Sequence, residues 1–562
     1  MPARGGAAKL TCVASRLLLL ACLLALRPAA AAARPAGAVA TEHALAAAAG
    51  AEVLAAGGSA VDAALAAAAA VCVVHPSSCG IGGGGFALVH LARGGDFALD
   101  FRERAPAAAH RARFLHDGEP VPERTRRGGL AVAVPGEVAG WVALHRRFGR
   151  LPLARVLAPA VGLARDGFDV GASPHLAREI ARARDLLAAD PELRARFLAP
   201  DGSPPGPGFR IVQADLARTL AAVGARGTAA VYAGPVARAI ADAVAARGGV
   251  LTTADLARYR PRWRPPLCGT FRGRRVVTFP PPGSGGIVLE VLGLLARDDL
   301  GALGAGSPTL LHLLAGALAQ GFADRARWYG DPAFTAVPVP RLLAPARLRA
   351  LRARLSAVRV TEPETALVPD AGTAHVSVVD ADGNAVALTT TINTAFGAGI
   401  LVPGTGIILN NEMDDFALAP GVPNVYGLAG SAANAIAPGK RPQSSMAPTV
   451  VLAGRRPELV LGASGGPTIV SSTVEVLLGV TALGLELPAA VAAARIHDQG
   501  APPVLAVEPG VAAATRAALA RLGHRLVEVP ALGAVAAVGL TPEGTPVAAA
   551  DARKDGGALV VR

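Results

Sequence analysis

The chain has 562 residues, of which 52% are apolar and only 4% aromatic, and its formal charge is +13. That charge is almost wholly arginine scattered along the chain, with lysine only at Lys9, Lys440 and Lys554, and it lacks the clustering and aromatic interleaving of a nucleic-acid binder. Much of the apolar content is alanine, so the positive mean hydropathy does not imply a membrane protein; the length implies two to four lobes around a large core.

Residues 1–34 read as a secretory signal. Arg4, Lys9 and Arg16 precede an apolar run over 17–26, and small-residue cleavage sites follow at 29–33. The run is too short to span a bilayer, so the expectation is export to the periplasm or the medium without stable membrane insertion. Cys22 faintly resembles an acylation site, but its apolar run lies mostly on the wrong side. Cys72, Cys79 and Cys268 then remain, an odd count that allows at most one disulfide within the chain. An oxidising compartment would let Cys72 pair with Cys79, whereas a helix running through Cys72 could hold them apart. No zinc-type spacing is present.

Gly57-Gly58-Ser59-Ala60 opens an alanine-rich helix that ends near His75-Pro76, and Asp62 within it argues for a buried helix rather than a span. The glycines of Gly80-Ile81-Gly82-Gly83-Gly84-Gly85 lack a following Lys-Ser/Thr or dinucleotide spacing, so close backbone packing is their expected use. Arg102, at the end of the next strand, is either a solvated charge or a fork for a carboxylate. Helical patterns dominate from 135 to 257. A proline-glycine loop at 280–286 leads into a helix at 287–295, and helices continue to 354. Residues 355–371 are poorly patterned, as suits a flexible, cleavable segment.

Thr373 then follows Gly372 at the mouth of an alternating strand, which turns at Asp380-Ala381-Asp382-Gly383-Asn384 and returns as 385–393. If Val379 faces Ala385, the constant sum of paired positions sets Thr373 opposite Thr391 and His375 opposite Thr389. A threonine becomes a strong nucleophile when a base stands beside it, and its own α-amine serves once the preceding peptide bond is cut. Such an amine, with a pKa near ~8, can take the hydroxyl proton near neutral pH. Beyond the hairpin, strands and polar glycine turns dominate, and no internal repeat is evident.

The motifs GTAHVSVVDADGN, TINTAFG, LNNEMDDF, PGVPNVYG and KRPQSSMAPT occur in that order. With them the chain resembles the γ-glutamyltransferases (γ-glutamyl transpeptidases), a family of N-terminal nucleophile hydrolases, from about Gly57 to Lys554. The resemblance implies an α+β fold, a four-layer αββα sandwich with two stacked antiparallel sheets between helical layers. It implies a precursor that cuts itself between Gly372 and Thr373 into a large subunit, 35–372, and a small one, 373–562. Thr373 would attack a γ-glutamyl amide such as glutathione and pass the γ-glutamyl group to water or to an amino acid or peptide. Thr391 would orient the new amine, and the Gly465 and Gly466 N–H groups would form the oxyanion hole. Arg102, Ser444 and Ser445 would take the substrate α-carboxylate, Asn393, Glu412 and Asp415 its α-ammonium, and Tyr426 would sit in a lid loop.

No metal or organic cofactor is implied. Pro467, just beyond the glycine pair, departs from the common family pattern and bears on rate and acceptor preference. The alternatives are a related acylase or polyglutamate-cleaving transpeptidase and, in a different class, an unprocessed binding protein that is no enzyme.

Overall fold

The computed structural model describes residues 36–355 and 372–562. The expected signal segment and nearly all of the expected cleavable segment lie outside the described residues. The fold is α+β, with helices concentrated before residue 356 and strands after 372.

Thirteen strands build two sheets. Ahead of residue 356 lie β1 (Gly37–Thr41), β2 (Gly84–His90), β3 (Asp96–Asp100), β4 (Arg262–Arg264), β5 (Leu267–Phe271) and β6 (Arg274–Thr278). After residue 372 come β7 (Ala374–Asp380), β8 (Ala385–Thr391), β9 (Thr449–Ala453), β10 (Arg456–Ser464), β11 (Ala534–Leu540), β12 (Pro546–Ala550) and β13 (Gly557–Val561). The first sheet runs β13-β1-β7-β8-β2-β3-β4 and the second β12-β11-β10-β9-β6-β5. Every pairing in both is antiparallel.

Side-chain alternation along β7 and β8 divides the core in two. Ala374, Val376, Val378, Val386 and Leu388 join the apolar cluster under helices α1 (Ala44–Ala55) and α2 (Ala60–Val74). Val379, Ala385 and Ala387 join the other cluster, which also takes in the inner faces of β10 and β11. Between the sheets β7 also carries His375 and Ser377. The His375 ring meets the Thr389 and Ser377 hydroxyls at 2.8 and 3.0 Å, and Ser377 donates to the Ala536 carbonyl on β11. Burial lowers the His375 pKa to about 3, so the ring is a neutral linker between sheets.

Helix α2 is buried on all fifteen positions, which its alanines permit by letting neighbours approach closely. It starts in a capping box: Asp62 N–H donates to the Ser59 hydroxyl, and the Asp62 carboxylate accepts from Ser59 N–H. The same carboxylate accepts from the N–H groups of Arg150 and Leu151, which satisfies a charge that would otherwise be costly at this depth. The helix stops at Val74, two residues after Cys72. The chain turns back at once, with Ser78 N–H donating to the His75 carbonyl, and Cys72 and Cys79 form a disulfide across a Cα separation of 4.9 Å. Among the described residues no helix is long and apolar enough to cross a membrane.

The glycine run serves close packing. A Cβ on Gly82, Gly83 or Gly85 would stand 2.1, 2.0 and 2.1 Å from the carbonyl oxygens of Ile408, Thr391 and Thr389. Helices α3 (Glu137–Phe148), α4 (Gly285–Leu295), α5 (Pro308–Trp328) and α6 (Thr468–Ala482) complete the frame, with α4 and α6 packed on the second sheet. Gly83→Ala is expected to push its neighbour β8 out of register, at a cost of about 3 kcal/mol. A thermal melt checks this; an unchanged melting temperature would show that the loop has slack.

Candidate active site

Antiparallel pairing sets His375 opposite Thr389 and Val379 opposite Ala385, the register expected from the turn. Thr373 lies one residue before β7, and its hydroxyl is 3.0 Å from that of Thr391. Thr391 also accepts from Asn393 N–H at 2.8 Å, which fixes its oxygen. The Thr373 N–H donates to the Ser78 carbonyl at 2.8 Å. The nitrogen and oxygen of Thr373 therefore each have a fixed neighbour.

The backbone at this junction is constrained. Thr373 has φ +80°, a left-handed conformation that a β-branched residue avoids, and such outliers cost on the order of 1–3 kcal/mol each. A Cβ on Gly372 would lie 1.6 Å from the Asn393 carbonyl oxygen, so only glycine fits there. Asn393 is itself at φ +76°, which asparagine tolerates better than most residues.

Arg102, Thr373, Thr391, Asn393, Glu412, Asp415, Tyr426, Ser444, Ser445 and Gly466 line one cavity of about 20 Å³. They come from distant parts of the chain, by way of four supports. Arg102 follows β3, where Asp100 accepts from its N–H. Glu412 and Asp415 lie on one short 3-10 turn. Ser444 is held by the expected proline-glycine loop: its N–H donates to the Pro282 carbonyl, and the Ser284 hydroxyl donates to its carbonyl. Gly466 lies in the turn between β10 and α6. Gly465 sits beside it, and neither glycine's N–H donates to a protein acceptor among the described residues.

Charge in this cavity is paired internally. The Arg102 guanidinium bonds Glu412, Asp415 (2.5 Å) and, more loosely, Glu103 (3.4 Å). Burial alone would favour the neutral arginine, but these three carboxylates outweigh it and keep the guanidinium charged. Burial pushes Glu412 well above the ordinary carboxylate range and Glu103 up to about 8, against the pull of Arg102. Tyr426 closes the cavity. Its hydroxyl donates to the Asn393 carbonyl at 2.8 Å, and its ring lies where a Cβ on Gly466 would be only 2.9 Å away.

Two contributors escape the sequence reading. The Ser78 carbonyl is one, since a main-chain acceptor leaves no mark in side-chain patterns. Lys554 is the other. Its ammonium donates to the Thr373 carbonyl (3.1 Å) and the Ser464 hydroxyl (2.8 Å), with the Glu42 carboxylate at 3.3 Å. Glu42 in turn accepts from His375 N–H. The signal was available: where arginine is the prevailing cation, Lys554 is one of only three lysines. Pro467 stands at the cap of α6 with φ −59°, where a helix leaves its first N–H groups unbonded anyway, so its missing N–H costs the helix no hydrogen bond.

Lys554→Met would take the ammonium away from the buried Glu42 carboxylate, the Thr373 carbonyl and the Ser464 hydroxyl. A loss of about 3–5 kcal/mol is expected, seen as a lower urea midpoint at unchanged slope.

Residues 46–561 match the family model described as gamma-glutamyltranspeptidase. The chain is 38% identical over 499 residues to the glutathione hydrolase proenzyme of Escherichia coli K12, covering 87% of this chain and 86% of that protein. It is 41% identical over 504 residues to the acylase ACY 1 proenzyme of Pseudomonas sp. SE83, covering 88% of each. Among solved structures, the cephalosporin acylase from Bacillus halodurans superposes with a TM-score of 0.83 at 30% identity, covering 94% of this chain and 96% of that one. The chain belongs to the gamma-glutamyltranspeptidase family.

Proposed function

We propose that the chain is a γ-glutamyltransferase and glutathione hydrolase that activates itself by cutting between Gly372 and Thr373. The cut begins when the Thr373 hydroxyl adds to the Gly372 carbonyl. The amide C–N bond breaks as the ester forms, which frees the amine with the proton that leaves the hydroxyl, and water then cleaves the ester to release the Gly372 carboxylate and the Thr373 hydroxyl. The positive φ at Thr373 favours this direction, because the strain disappears with the bond. The products are a large subunit ending at 372 and a small one of 373–562, exported together and arranged as a four-layer αββα sandwich.

In the mature enzyme the Thr373 amine takes the hydroxyl proton, and the oxygen attacks the γ-carbonyl. The N–H groups of Gly465 and Gly466 meet the developing oxyanion, where loss of one donor costs ~10²–10³ in rate. The amide C–N bond breaks, the proton passes to the departing nitrogen, and a γ-glutamyl ester remains on Thr373. Water or an incoming amine resolves it. Thr391 orients the nucleophile, and Tyr426 excludes water.

The observation that carries the γ-glutamyl assignment is the presence of Arg102 and the carboxylates of Glu412 and Asp415 in one buried cavity with Thr373. A free α-amino acid head group exchanges ion for ion with this cluster. Its carboxylate replaces the acids on Arg102, beside Ser444 and Ser445, and its ammonium replaces the guanidinium on Glu412, Asp415 and the Asn393 amide.

The acylase relative gives a second reading specific support. A dicarboxylic acyl group without the ammonium would, however, leave the two acids unpaired. The two readings separate on a γ-glutamyl anilide and the matching glutaryl anilide. A preference of about 10²–10⁴-fold for the γ-glutamyl compound is expected, and equal rates would favour the acylase.

Denaturing mass spectrometry should find two fragments, the smaller beginning at Thr373, and a single uncut chain for Thr373→Ala. A wild type that stays whole overturns the activation step and revives the binding-protein reading. Thr391→Ala is expected to slow turnover by about 10²-fold or more. Its kcat should fall more than its KM rises, because the hydroxyl that the amine deprotonates loses the neighbour that orients it.

A further inference from the structure

The turn that follows α2 touches the nucleophile directly, and no step above assigns its disulfide a role. Residues 75–79 run from the end of the helix to the glycine run. The Ser78 carbonyl accepts from Thr373 N–H at 2.8 Å and from Ile392 N–H at 3.4 Å. The Ser77 carbonyl accepts from Phe396 N–H at 3.2 Å. Three bonds thus join this one turn to Thr373 and to the segment just beyond β8.

Little in the turn itself holds those carbonyls in place. The Ser77 and Ser78 hydroxyls are buried and have no hydrogen-bond partner among the described residues. The N–H groups of Ser78 and Cys79 share a single acceptor, the His75 carbonyl, at 2.9 and 3.4 Å. The firm anchor is covalent. Cys72 lies in a helix buried on every position, and the disulfide ties Cys79, the residue next to Ser78, to that frame. Both cysteines are buried, so the bond, once formed, is shielded from exchange.

The Ser78 carbonyl has a part at both stages of the proposed chemistry. In the precursor it fixes the Thr373 amide, and with it the hydroxyl that must add to the Gly372 carbonyl. After the cut it accepts one N–H of the new amine, which leaves the nitrogen lone pair for the hydroxyl proton. A displacement of about 1 Å at such a point costs about 10²-fold in rate.

We propose that Cys72 and Cys79 are positioning residues for Thr373, so that the precursor cuts itself efficiently only once their disulfide has formed. The inference rests on the nucleophile reading above and adds a condition to it. The bond forms as the two thiols pass two electrons and two protons to an exchanging disulfide, which leaves as two thiols. A precursor in a reducing compartment therefore stays whole, and activation follows transfer to an oxidising one.

The test makes the full-length precursor by cell-free synthesis with dithiothreitol present, so that the bond never forms, and then adds excess hydroxyethyl disulfide. Mass spectrometry after alkylation counts thiols and fragments together. The wild type is expected to cut on the order of 10–100-fold more slowly while reduced, and to recover on oxidation. Cys72→Ser/Cys79→Ser should cut at the slow rate under both conditions, which separates this pair from Cys12, Cys22 and Cys268. In the fraction of that variant that matures, kcat per active site on a γ-glutamyl anilide should fall with KM nearly unchanged. Arg102, Glu412 and Asp415 are held by other elements, whereas a brace for folding alone would lower the amount of active enzyme and leave kcat intact. The wild-type comparison decides the matter even where the variant fails to fold, because loss and recovery occur in one preparation. A reduced wild type that cuts at the oxidised rate, or a variant that stays redox-sensitive, overturns the proposal and leaves the nucleophile reading intact. An oxidised wild type that never cuts defeats both.

Discussion

The position of Thr373 depends first on the antiparallel register of β7 and β8. A slip of one residue would turn Thr391 away from Thr373 and drive His375 and Ser377 into the apolar face beneath α2. Three features outside the hairpin hold that register. His375 ties β7 to Thr389 across the pair and, through Ser377, the hairpin is linked to β11 in the opposite sheet. Gly83 and Gly85 let β2 approach the carbonyls of β8 at a distance no larger residue allows. Lys554 and Glu42 grip the start of β7 from the chain's two ends, by way of the Thr373 carbonyl and the His375 N–H. The nucleophile is thus fixed by groups that take no part in the chemistry proposed for it.

What the sequence revealed depended on how local the cause was. The hairpin was legible because a two-residue period and a single turn determine every pairing along it. The helix at 60–74 was legible from its cap, its proline stop and its alanine content. The disulfide was not, since a helix running through Cys72 could hold the two cysteines apart, and the tight turn back at His75 and Ser78 that brings them together leaves no clear mark in the sequence. Lys554 acts on Thr373 across 181 positions, and no periodicity connects a lone lysine to a strand so distant. The functional reading of Arg102 required the company of motifs more than 300 residues away; by itself the position was indistinguishable from a solvated charge.

The two glycines after β10 show a local rule giving way to a tertiary one. As a pair they read as an ordinary turn. In the folded chain Gly466 lies against the Tyr426 ring and Gly465 against the Thr468 hydroxyl, both with positive φ, so side chains are excluded by contact as well as by conformation. The N–H groups that this backbone exposes are left over from the turn, and the packing of Tyr426 decides what can reach them.

The Arg102 cluster is a poor device for stability. Replacing a buried ion group with apolar side chains of similar volume is often neutral or favourable by 1–4 kcal/mol, because desolvation consumes the Coulomb gain. Here three acids crowd one guanidinium, and burial holds two of them, Glu103 and Glu412, above the usual carboxylate range. Such an arrangement is under-compensated when empty and gains most from a ligand that brings both signs of charge. A ligand with a carboxylate alone would relieve Arg102 and worsen the acids, and an amine alone would do the reverse. For the γ-glutamyl head group proposed above, the excess of acid over base makes the ammonium as necessary as the carboxylate.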